Sequence, residues 1–428
     1  MSRKLPLAVV VCLVLCGRAP AWRGHSFEQW QRISGATTRP AVTSPQAGEK
    51  DLLELLRTAG PDSPRITSAA QWQAKQARIR RVLQAFLGEP TNLAKPAPEA
   101  VVLDETPAGD HVRRHIWIRC EPDDWIPAYL LIPRSRPAGP GSVILVLHQT
   151  AAQGKDEPAG IRGDPSMFLA RELVARGWMC LVPDVIGFGE RLPEGATRRG
   201  PRGVHAHAAT GPAATQSAPP QPYDNIAEFF DRHPRWSVMG KMIWDVSRCL
   251  DYLETLPEVD RRRIGCIGHS HGAYGTIFAA VFDPRIGAAA ASCGFTTLRS
   301  DPHPERWSHL TPLLPSLGFY VAGSAASSSD RRGEMRSDRL GAVKDIPFDW
   351  HEICSLIAPR PFLNWATLGD SIFPNTDNLR WVFGQLDEVY NLCGAQDRLA
   401  WRLAPGEHRF PAEARQWAYR WLEERFGQ

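Results

Sequence analysis

One serine lies in a pattern that suits nucleophilic chemistry. Residues 268–272 read Gly-His-Ser-His-Gly, directly after the predicted strand Arg263–Ile267 and directly before a helical stretch. A serine spaced between glycines in this way occupies a sharp strand-to-helix turn, with its hydroxyl exposed at the carboxyl end of the strand. Glycine suits the turn because side chains at Gly268 and Gly272 would collide with neighbouring backbone. We therefore predict that Ser270 is a nucleophile held on a strained corner.

A nucleophilic serine needs a base and a group that orients the base. His408 follows the predicted strand Leu399–Leu403 and could serve as the base. Asp370 follows the predicted strand Pro361–Trp365 and could orient it. The carboxyl ends of parallel strands share one edge of a sheet, so both loops would emerge beside Ser270. The order serine, acid, histidine predicts a catalytic triad.

Rivals exist for the acid and the base. Asp377 lies in the same segment as Asp370, and Asp301 follows the preceding strand, so either could orient the histidine instead. His408 could also be an ordinary solvated loop residue. The order along the chain and the position at strand ends favour Asp370 and His408.

Two backbone N–H groups are expected to receive the negative charge of a reacting carbonyl. One is the N–H of His271, because it begins the helix after the serine. The other should come from the loop after the strand Val143–Leu147, where Gln149 or Thr150 is well placed. The sequence leaves the choice between these two open. His148 is expected to orient or pack rather than to react.

The elements around these residues alternate between strand and helix. An unbroken apolar run such as Val143–Leu147 is typical of a strand buried on both faces of a parallel sheet. Alternation of this kind predicts an α/β fold with a mostly parallel, twisted sheet and helices on both faces. The predicted strands are Val101–Leu103, His115–Ile118, Ala128–Ile132, Val143–Leu147, Cys180–Pro183, Arg263–Ile267, Ile286–Cys293, Pro361–Trp365 and Leu399–Leu403. The clearest predicted helices are Ala69–Leu87, Gly272–Val281 and Ala412–Phe426.

Composition narrows the class of protein. The chain has 428 residues, 43% apolar and 22% charged, which excludes collagen-like, coiled-coil and wholly disordered proteins. The net charge is +4, and three of the positive residues (Arg3, Lys4 and Arg18) lie in the first 21 positions. The remainder is close to neutral, so no nucleic-acid partner is expected.

The N-terminal residues 1–21 have the three parts of a signal peptide: a basic start, an apolar stretch and small residues at Ala19 and Ala21. The apolar stretch is shorter than the roughly 18–20 residues of a membrane-spanning helix, so no stable membrane span is expected after processing. This predicts a secreted or periplasmic protein. Seven of the nine cysteines lie beyond the leader, none in a CxxC pair, and no disulfide pairing can be deduced.

Several blocks of the sequence together resemble the α/β-hydrolase superfamily. From Ala100 to the C-terminus the chain is similar to its dienelactone-hydrolase-like and acetyl-xylan-esterase-like secreted bacterial branch. This resemblance implies the α/β-hydrolase fold and a serine hydrolase that needs no metal or organic cofactor. True dienelactone hydrolases use a cysteine nucleophile, whereas this chain has Ser270, which favours ordinary ester hydrolysis. The blocks are Val143–Lys155, Asp184–Arg191, Gly268–Gly272, Pro347–Glu352, Leu356–Pro361 and the loops of Asp370 and His408.

The predicted organisation is a signal peptide (1–21), a partly helical extension (22–98) and a catalytic domain (99–428). Two long irregular stretches, about 191–236 and 296–350, are predicted to be lid insertions. The expected activity is that of a secreted serine carboxylesterase acting on a small-molecule or carbohydrate ester, with polysaccharide deacylation as one candidate. The alternatives are a prolyl-oligopeptidase-like peptidase and a catalytically silent binding protein on the same scaffold.

The paired histidines and the tryptophans are further candidates for functional roles. The alternating histidines 205/207 and 269/271 lack a carboxylate or cysteine that would complete a metal-ligand set, so no metal site is predicted there. Most of the 15 tryptophans are expected in packing. Trp236 and Trp307 are candidates to line a sugar-binding cleft.

Overall fold

A computed structural model describes residues 27–38, 54–58, 62–135, 139–192, 226–308, 313–325, 345–374 and 377–427. The predicted signal peptide lies outside these residues. So do positions 193–225 of the first predicted lid, and positions 309–312 and 326–344 of the second. None of the described helices combines the length and the apolar character needed to cross a bilayer.

Nine strands in the described residues form one sheet. Its order is β1-β2-β3-β5-β4-β6-β7-β8-β9. The strands β1, β2 and β3 are antiparallel, and β3 pairs antiparallel with β5. All pairs from β5 to β9 are parallel. The strands are β1 (Ala100–Ala108), β2 (His111–Glu121), β3 (Asp124–Pro133), β4 (Gly141–Leu147), β5 (Met179–Pro183), β6 (Val259–His269), β7 (Ala288–Ser292), β8 (Phe362–Thr367) and β9 (Leu399–Ala404).

Helices cover both faces of this sheet. On one face α3 and α10 pack over one hydrophobic cluster, and on the other α1, α2, α5, α6, α8 and α9 pack over a second. The helices are α1 (Phe27–Ser34), α2 (Ala69–Leu87), α3 (Leu169–Ala175), α4 (Ile226–Arg232), α5 (Val238–Leu253), α6 (His271–Phe282), α7 (Gly318–Ala325), α8 (Trp350–Ser355), α9 (Asp377–Leu392) and α10 (Ala412–Phe426).

Strand β4 shows why the run Val143–Leu147 lacks polar residues. Val143, Leu145 and Leu147 belong to one hydrophobic cluster, whereas Ile144 and Val146 belong to the other. Successive side chains of a strand point to opposite faces, so a strand covered by helices on both sides must be apolar at every position. The predicted α/β class with a mostly parallel sheet is confirmed.

Helix α2 of the N-terminal extension is continuous, although the stripe of apolar residues that it buries has a polar gap between Trp72 and Ile79. Its start is closed by a capping box between Ser68 and Gln71. Lys75 fills the gap and is buried, with only 6% of its surface exposed. Its Nζ donates hydrogen bonds of 3.1, 2.9 and 2.9 Å to the carbonyls of Glu54, Leu55 and Arg57. The ammonium therefore ties the preceding segment to the helix.

We expect Lys75→Ala to lower the free energy of unfolding by about 1–3 kcal/mol, because it leaves buried carbonyl groups without a donor. Urea denaturation followed by circular dichroism measures this change. Gln73→Ala, at an exposed position of the same helix, is the matched control and should change the unfolding free energy by less than about 0.5 kcal/mol. Equal effects of the two substitutions would show that the Lys75 hydrogen bonds do not stabilise the fold.

Candidate active site

Ser270 sits between β6 and α6 in a strained backbone conformation. Its φ is +54°, a value that side-chain-bearing residues rarely adopt. A Cβ added at Gly268 would overlap the backbone of Gly272, and one added at Gly272 would overlap the carbonyl oxygen of Leu147. The predicted need for both glycines is thus confirmed. The N–H of Ser270 donates a 2.8 Å hydrogen bond to the carbonyl of Ser292, which anchors the turn to β7.

The structure brings the three predicted triad residues into one hydrogen-bonded chain. His408 Nε2 lies 2.8 Å from Ser270 Oγ, and His408 Nδ1 lies 2.8 Å from Asp370 Oδ2. Asp370 stands on the loop after β8, and His408 stands on the loop after β9. Both distances fall in the range of hydrogen bonds that link a nucleophile, a base and an orienting group. In this arrangement Nδ1–H donates to the carboxylate, and the lone pair on Nε2 faces the hydroxyl.

The environment of Asp370 keeps this carboxyl group ionised. Burial opposes the charge, but the hydrogen bond and charge of His408 outweigh it, and the pKa of Asp370 lies below its usual value. Its other oxygen, Oδ1, accepts 2.8 Å hydrogen bonds from the N–H groups of Ile372 and Phe373. The two oxygens therefore have different tasks: Oδ1 fixes the loop and Oδ2 faces the histidine.

Three more histidines surround the serine, and burial favours the neutral form of each. Burial lowers the pKa of His269 and of His271 to about 3, and it also lowers the pKa of His148. The ring of His269 packs 4.8 Å from that of His408, and its Nδ1 lies 3.0 Å from Ser292 Oγ. Because His269 carries no charge at neutral pH, it does not repel a positive charge that forms on His408.

The loop after β4 begins beside the serine turn, as the contact between Gly272 and Leu147 shows. His148 Nε2 accepts a 3.1 Å hydrogen bond from the N–H of Val185, so the hydrogen must be on Nδ1, which lies 2.7 Å from the carbonyl of Gln149. The predicted orienting role of His148 therefore has a specific geometry: its ring holds the peptide group between Gln149 and Thr150. The side chain of Gln149 also donates a 2.9 Å hydrogen bond to Glu157.

Asp184, at the end of β5, fixes the far end of the same loop. Its Oδ1 accepts the N–H of Lys155 at 2.8 Å, and its Oδ2 accepts the Lys155 ammonium at 2.9 Å and the N–H of Glu190 at 3.0 Å. Lys155 is 1% exposed and also pairs with Glu190. Asp184 and Lys155 both lie in sequence blocks that carry the family resemblance, but no role was predicted for either. The position of Asp184 directly after a buried strand is the signal that could have identified it.

Asp301, a rival for the orienting acid, has a different partner. Its Oδ1 lies 3.1 Å from Nη2 of Arg306. Arg306 in turn donates a hydrogen bond to the carbonyl of Ile372 and lies over the Phe373 ring, 5.3 Å from its centroid. Ile372 and Phe373 are the residues whose N–H groups hold Asp370. The pair of Asp301 and Arg306 therefore positions the loop that carries the acid. The other rival, Asp377, begins helix α9.

We expect Arg306→Met to lower kcat about tenfold and to change KM by less than about threefold, because it loosens the acid loop by roughly 1.4 kcal/mol without removing a substrate contact. Steady-state kinetics with an aryl ester measures both constants. Arg306→Lys should recover part of kcat, since an ammonium can still reach one acceptor. Arg380→Met, on an exposed position of α9, is the control and should leave both constants unchanged. A rise in KM with unchanged kcat would instead place Arg306 in substrate binding.

The sequence also suggested roles for two tryptophans and considered a pair of histidines. Trp307 is 1% exposed and lies in the packed core, so it does not line a cleft. Trp236 is 4% exposed and borders a cavity with Gly88 and Arg235, and that cavity is lined by none of the three triad residues. Trp307 packs against Tyr274 and Trp350, at ring distances of 5.1 and 5.3 Å. At these positions the free energy gained by burying a large aromatic side chain favours packing in the core over exposure to a ligand. Histidines 205 and 207 lie outside the described residues.

The seven cysteines from Cys120 to Cys393 are free thiols. All seven lie in the described part of the chain without a disulfide, and six of them are buried. They behave as small core residues rather than as covalent links.

Comparison with known proteins points to esterases. No family model matches the chain. In sequence it is 25% identical over 135 residues to 4-O-methyl-glucuronoyl methylesterase 1 of Wolfiporia cocos, covering 30% of this chain and 31% of that protein. Among solved structures it is similar to a glucuronoyl esterase from Solibacter usitatus, with a TM-score of 0.59, 18% identity and coverage of 91% and 99% of the two chains. A protein assigned as an acetyl xylan esterase from Bacteroides fragilis gives a TM-score of 0.53, 16% identity and coverage of 78% and 76%.

These similarities establish the fold. The chain has the α/β-hydrolase fold, and the resemblance to the esterases of that superfamily is confirmed. The aligned segment spans about a third of the length of the curated methylesterase. What the named relatives act on is a property of those proteins.

Proposed function

We propose that this protein is a serine carboxylesterase that cleaves ester bonds through an acyl-enzyme. The single observation that carries this proposal is the hydrogen-bonded chain from Ser270 through His408 to Asp370, at the carboxyl edge of a parallel sheet. A serine hydroxyl is a weak nucleophile by itself, and it becomes reactive when an oriented base can take its proton. The strained turn at Ser270 presents the hydroxyl to a substrate.

The proposed reaction proceeds in two halves. Ser270 Oγ attacks the ester carbonyl while His408 Nε2 takes its proton, and Asp370 stabilises the resulting imidazolium. His408 then gives the proton to the leaving alcohol, and an acyl group remains on the serine. In the second half His408 removes a proton from water, the hydroxide attacks the acyl group, and the carboxylic acid leaves as Ser270 regains its proton.

The negative charge on the tetrahedral intermediate needs hydrogen-bond donors. We assign the N–H of His271 as one donor, and the N–H of Gln149 or Thr150 as the other. Two features support this: His271 opens helix α6, and the loop of Gln149 starts against the serine turn. Each such donor contributes roughly 3–4 kcal/mol to lowering the barrier. The peptide group that His148 fixes carries the N–H of Thr150, so this donor is held in place before the substrate arrives.

We further propose that the substrate is a carbohydrate ester and that the protein is exported. The relatives named as glucuronoyl esterases and as an acetyl xylan esterase support the first point. The basic, apolar and small-residue pattern of residues 1–21 supports the second. The reaction uses side chains, backbone N–H groups and water, so we propose that it requires no cofactor.

A substrate panel tests this proposal. Purified protein is assayed with p-nitrophenyl acetate, with acetylated sugars, with a methyl ester of a glucuronic acid derivative and with a proline-containing amide. We expect turnover of esters, with a sugar ester giving the highest kcat/KM. Amide turnover that exceeds ester turnover would instead favour the peptidase alternative. No turnover of any ester would favour the silent binding protein.

A further inference from the structure

A buried thiol completes a set of metal-binding groups beside the proposed base. Cys293 Sγ, an oxygen of Asp370 and a ring nitrogen of His408 all lie within 4.8 Å of one another. We propose that these three side chains, called here the Cys293 site, bind Zn²⁺ and that binding inhibits the enzyme.

The geometry of the Cys293 site is close to that of a zinc centre. Tetrahedral Zn²⁺ with Zn–S of about 2.3 Å and Zn–N or Zn–O of about 2.0 Å places its ligand atoms roughly 3.3–3.6 Å apart. Reaching that spacing requires Cys293 Sγ to approach the other two atoms by no more than about 1.5 Å, and it requires the Asp370 and His408 atoms to separate by about 0.5 Å. Asp370 Oδ2 and His408 Nδ1 are already 2.8 Å apart, joined by the proton that the metal would replace. The fourth ligand would be water.

The chemistry of the set also favours Zn²⁺ over harder ions. A thiolate, an imidazole and a carboxylate are its usual ligands, whereas Mg²⁺ prefers six oxygens. Cys293 is buried and forms no disulfide, so the free site holds a thiol. Coordination removes that proton outright. The thiol gives up little, because its contacts with Thr367 Oγ1 and the carbonyl of Arg409 are long, at 3.7 and 3.6 Å.

Inhibition follows from the proton balance at His408, and it rests on the proposed role of that residue as the base. In the free enzyme the ring carries its proton on Nδ1 and accepts the serine proton at Nε2. Zn²⁺ on Nδ1 moves the ring proton to Nε2, while the proton of the Cys293 thiol leaves to solvent. The nitrogen that faces Ser270 is then protonated and cannot act as a base. One bound ion therefore stops the reaction without touching the nucleophile.

The ion can reach the site along the His408 side. The side chain of His408 is 16% exposed, whereas that of Asp370 is 2% exposed and Cys293 is buried. Entry therefore requires rotation of the imidazole, and slow onset of inhibition is expected.

The first test measures inhibition by ZnCl₂ in protein freed of metal with EDTA, with p-nitrophenyl acetate as substrate. We expect micromolar ZnCl₂ to inhibit, EDTA to reverse the inhibition, and equal MgCl₂ to have no effect. Cys293→Ala should raise the half-inhibitory concentration at least about tenfold, with each variant normalised to its own activity without metal. Cys393→Ser, at the one partly exposed cysteine of the seven, is the matched control and should not shift it. Equal inhibition of the Cys293 variant, or none below about 1 mM ZnCl₂, would overturn the proposal.

The second test needs no enzymatic activity. Ser270→Ala keeps all three proposed ligands, so we expect equilibrium dialysis to find one Zn²⁺ per chain in this variant. The double variant with Cys293→Ala should bind at least about tenfold more weakly. Equal binding by both variants would overturn the Cys293 site. A protein that binds Zn²⁺ as expected but hydrolyses no ester would contradict the proposed function alone.

Discussion

Replacing Ser270 with alanine is expected to lower kcat for p-nitrophenyl acetate by about 10⁵–10⁶, because the remaining side chains can only polarise the carbonyl and orient water. The loss should appear in kcat and kcat/KM together, since the hydroxyl reacts only in the transition state. The fold should survive, as the substitution removes one oxygen and leaves the backbone of the turn unchanged. Steady-state kinetics and a thermal unfolding curve measure both expectations.

The matched control for this substitution is Ser135→Ala, at an exposed position after β3. It should retain full activity. If Ser270→Ala kept more than about a tenth of kcat, the nucleophile would have to be another group.

Asp370→Asn is expected to lower kcat by about 10⁴. The size of this expected loss follows from the hydrogen bonds around the carboxylate. Oδ1 accepts the N–H groups of Ile372 and Phe373, so an amide oxygen would stay there and the amide NH₂ would face His408. Nδ1 would then have to accept a hydrogen bond, which places the ring proton on Nε2. That nitrogen could no longer take the proton of Ser270.

The two rival carboxylates are the controls for this prediction. Asp377→Asn should leave kcat unchanged within about twofold, and Asp301→Asn should lower it by about tenfold at most, because Asp301 acts on the acid loop through Arg306. A loss of about 10⁴ in either rival, with an active Asp370 variant, would show that the orienting acid is assigned to the wrong loop.

Local chemistry made several elements predictable from the sequence. The serine turn was predictable because its two glycines are required by backbone contacts that any side chain would violate. The predicted bounds of α2 and α10 agree with the structure, since Ser68 caps one helix and Gly427 ends the other in a left-handed conformation. Signals of this kind lie within a few residues of the feature they specify.

The antiparallel strands were predicted too short. Val101–Leu103 was predicted where β1 covers Ala100–Ala108. Exposed and half-buried residues alternate along part of this strand, and its length is set by pairing with β2 rather than by apolar content. Because the solvent-facing side of such a strand carries polar residues, runs of apolar residues do not indicate its full length.

The residues that hold the site together could not be predicted. Arg306 acts on the carbonyl of Ile372, 66 positions away, and Asp184 acts on Lys155, 29 positions away. Cys293 approaches His408 only because β7 and β9 both flank β8. Contacts of this kind depend on the order of strands in the sheet, which short motifs do not encode.

The most direct test is covalent labelling of the folded protein with a fluorophosphonate, followed by peptide mass spectrometry. Such a probe reacts with a serine only when a base activates it. We expect one adduct per chain, on the peptide that contains Ser270, absent in Ser270→Ala and strongly reduced in His408→Asn. An unlabelled Ser270 in protein that hydrolyses esters, or an adduct on a different residue, would contradict the assignment of this serine as the nucleophile.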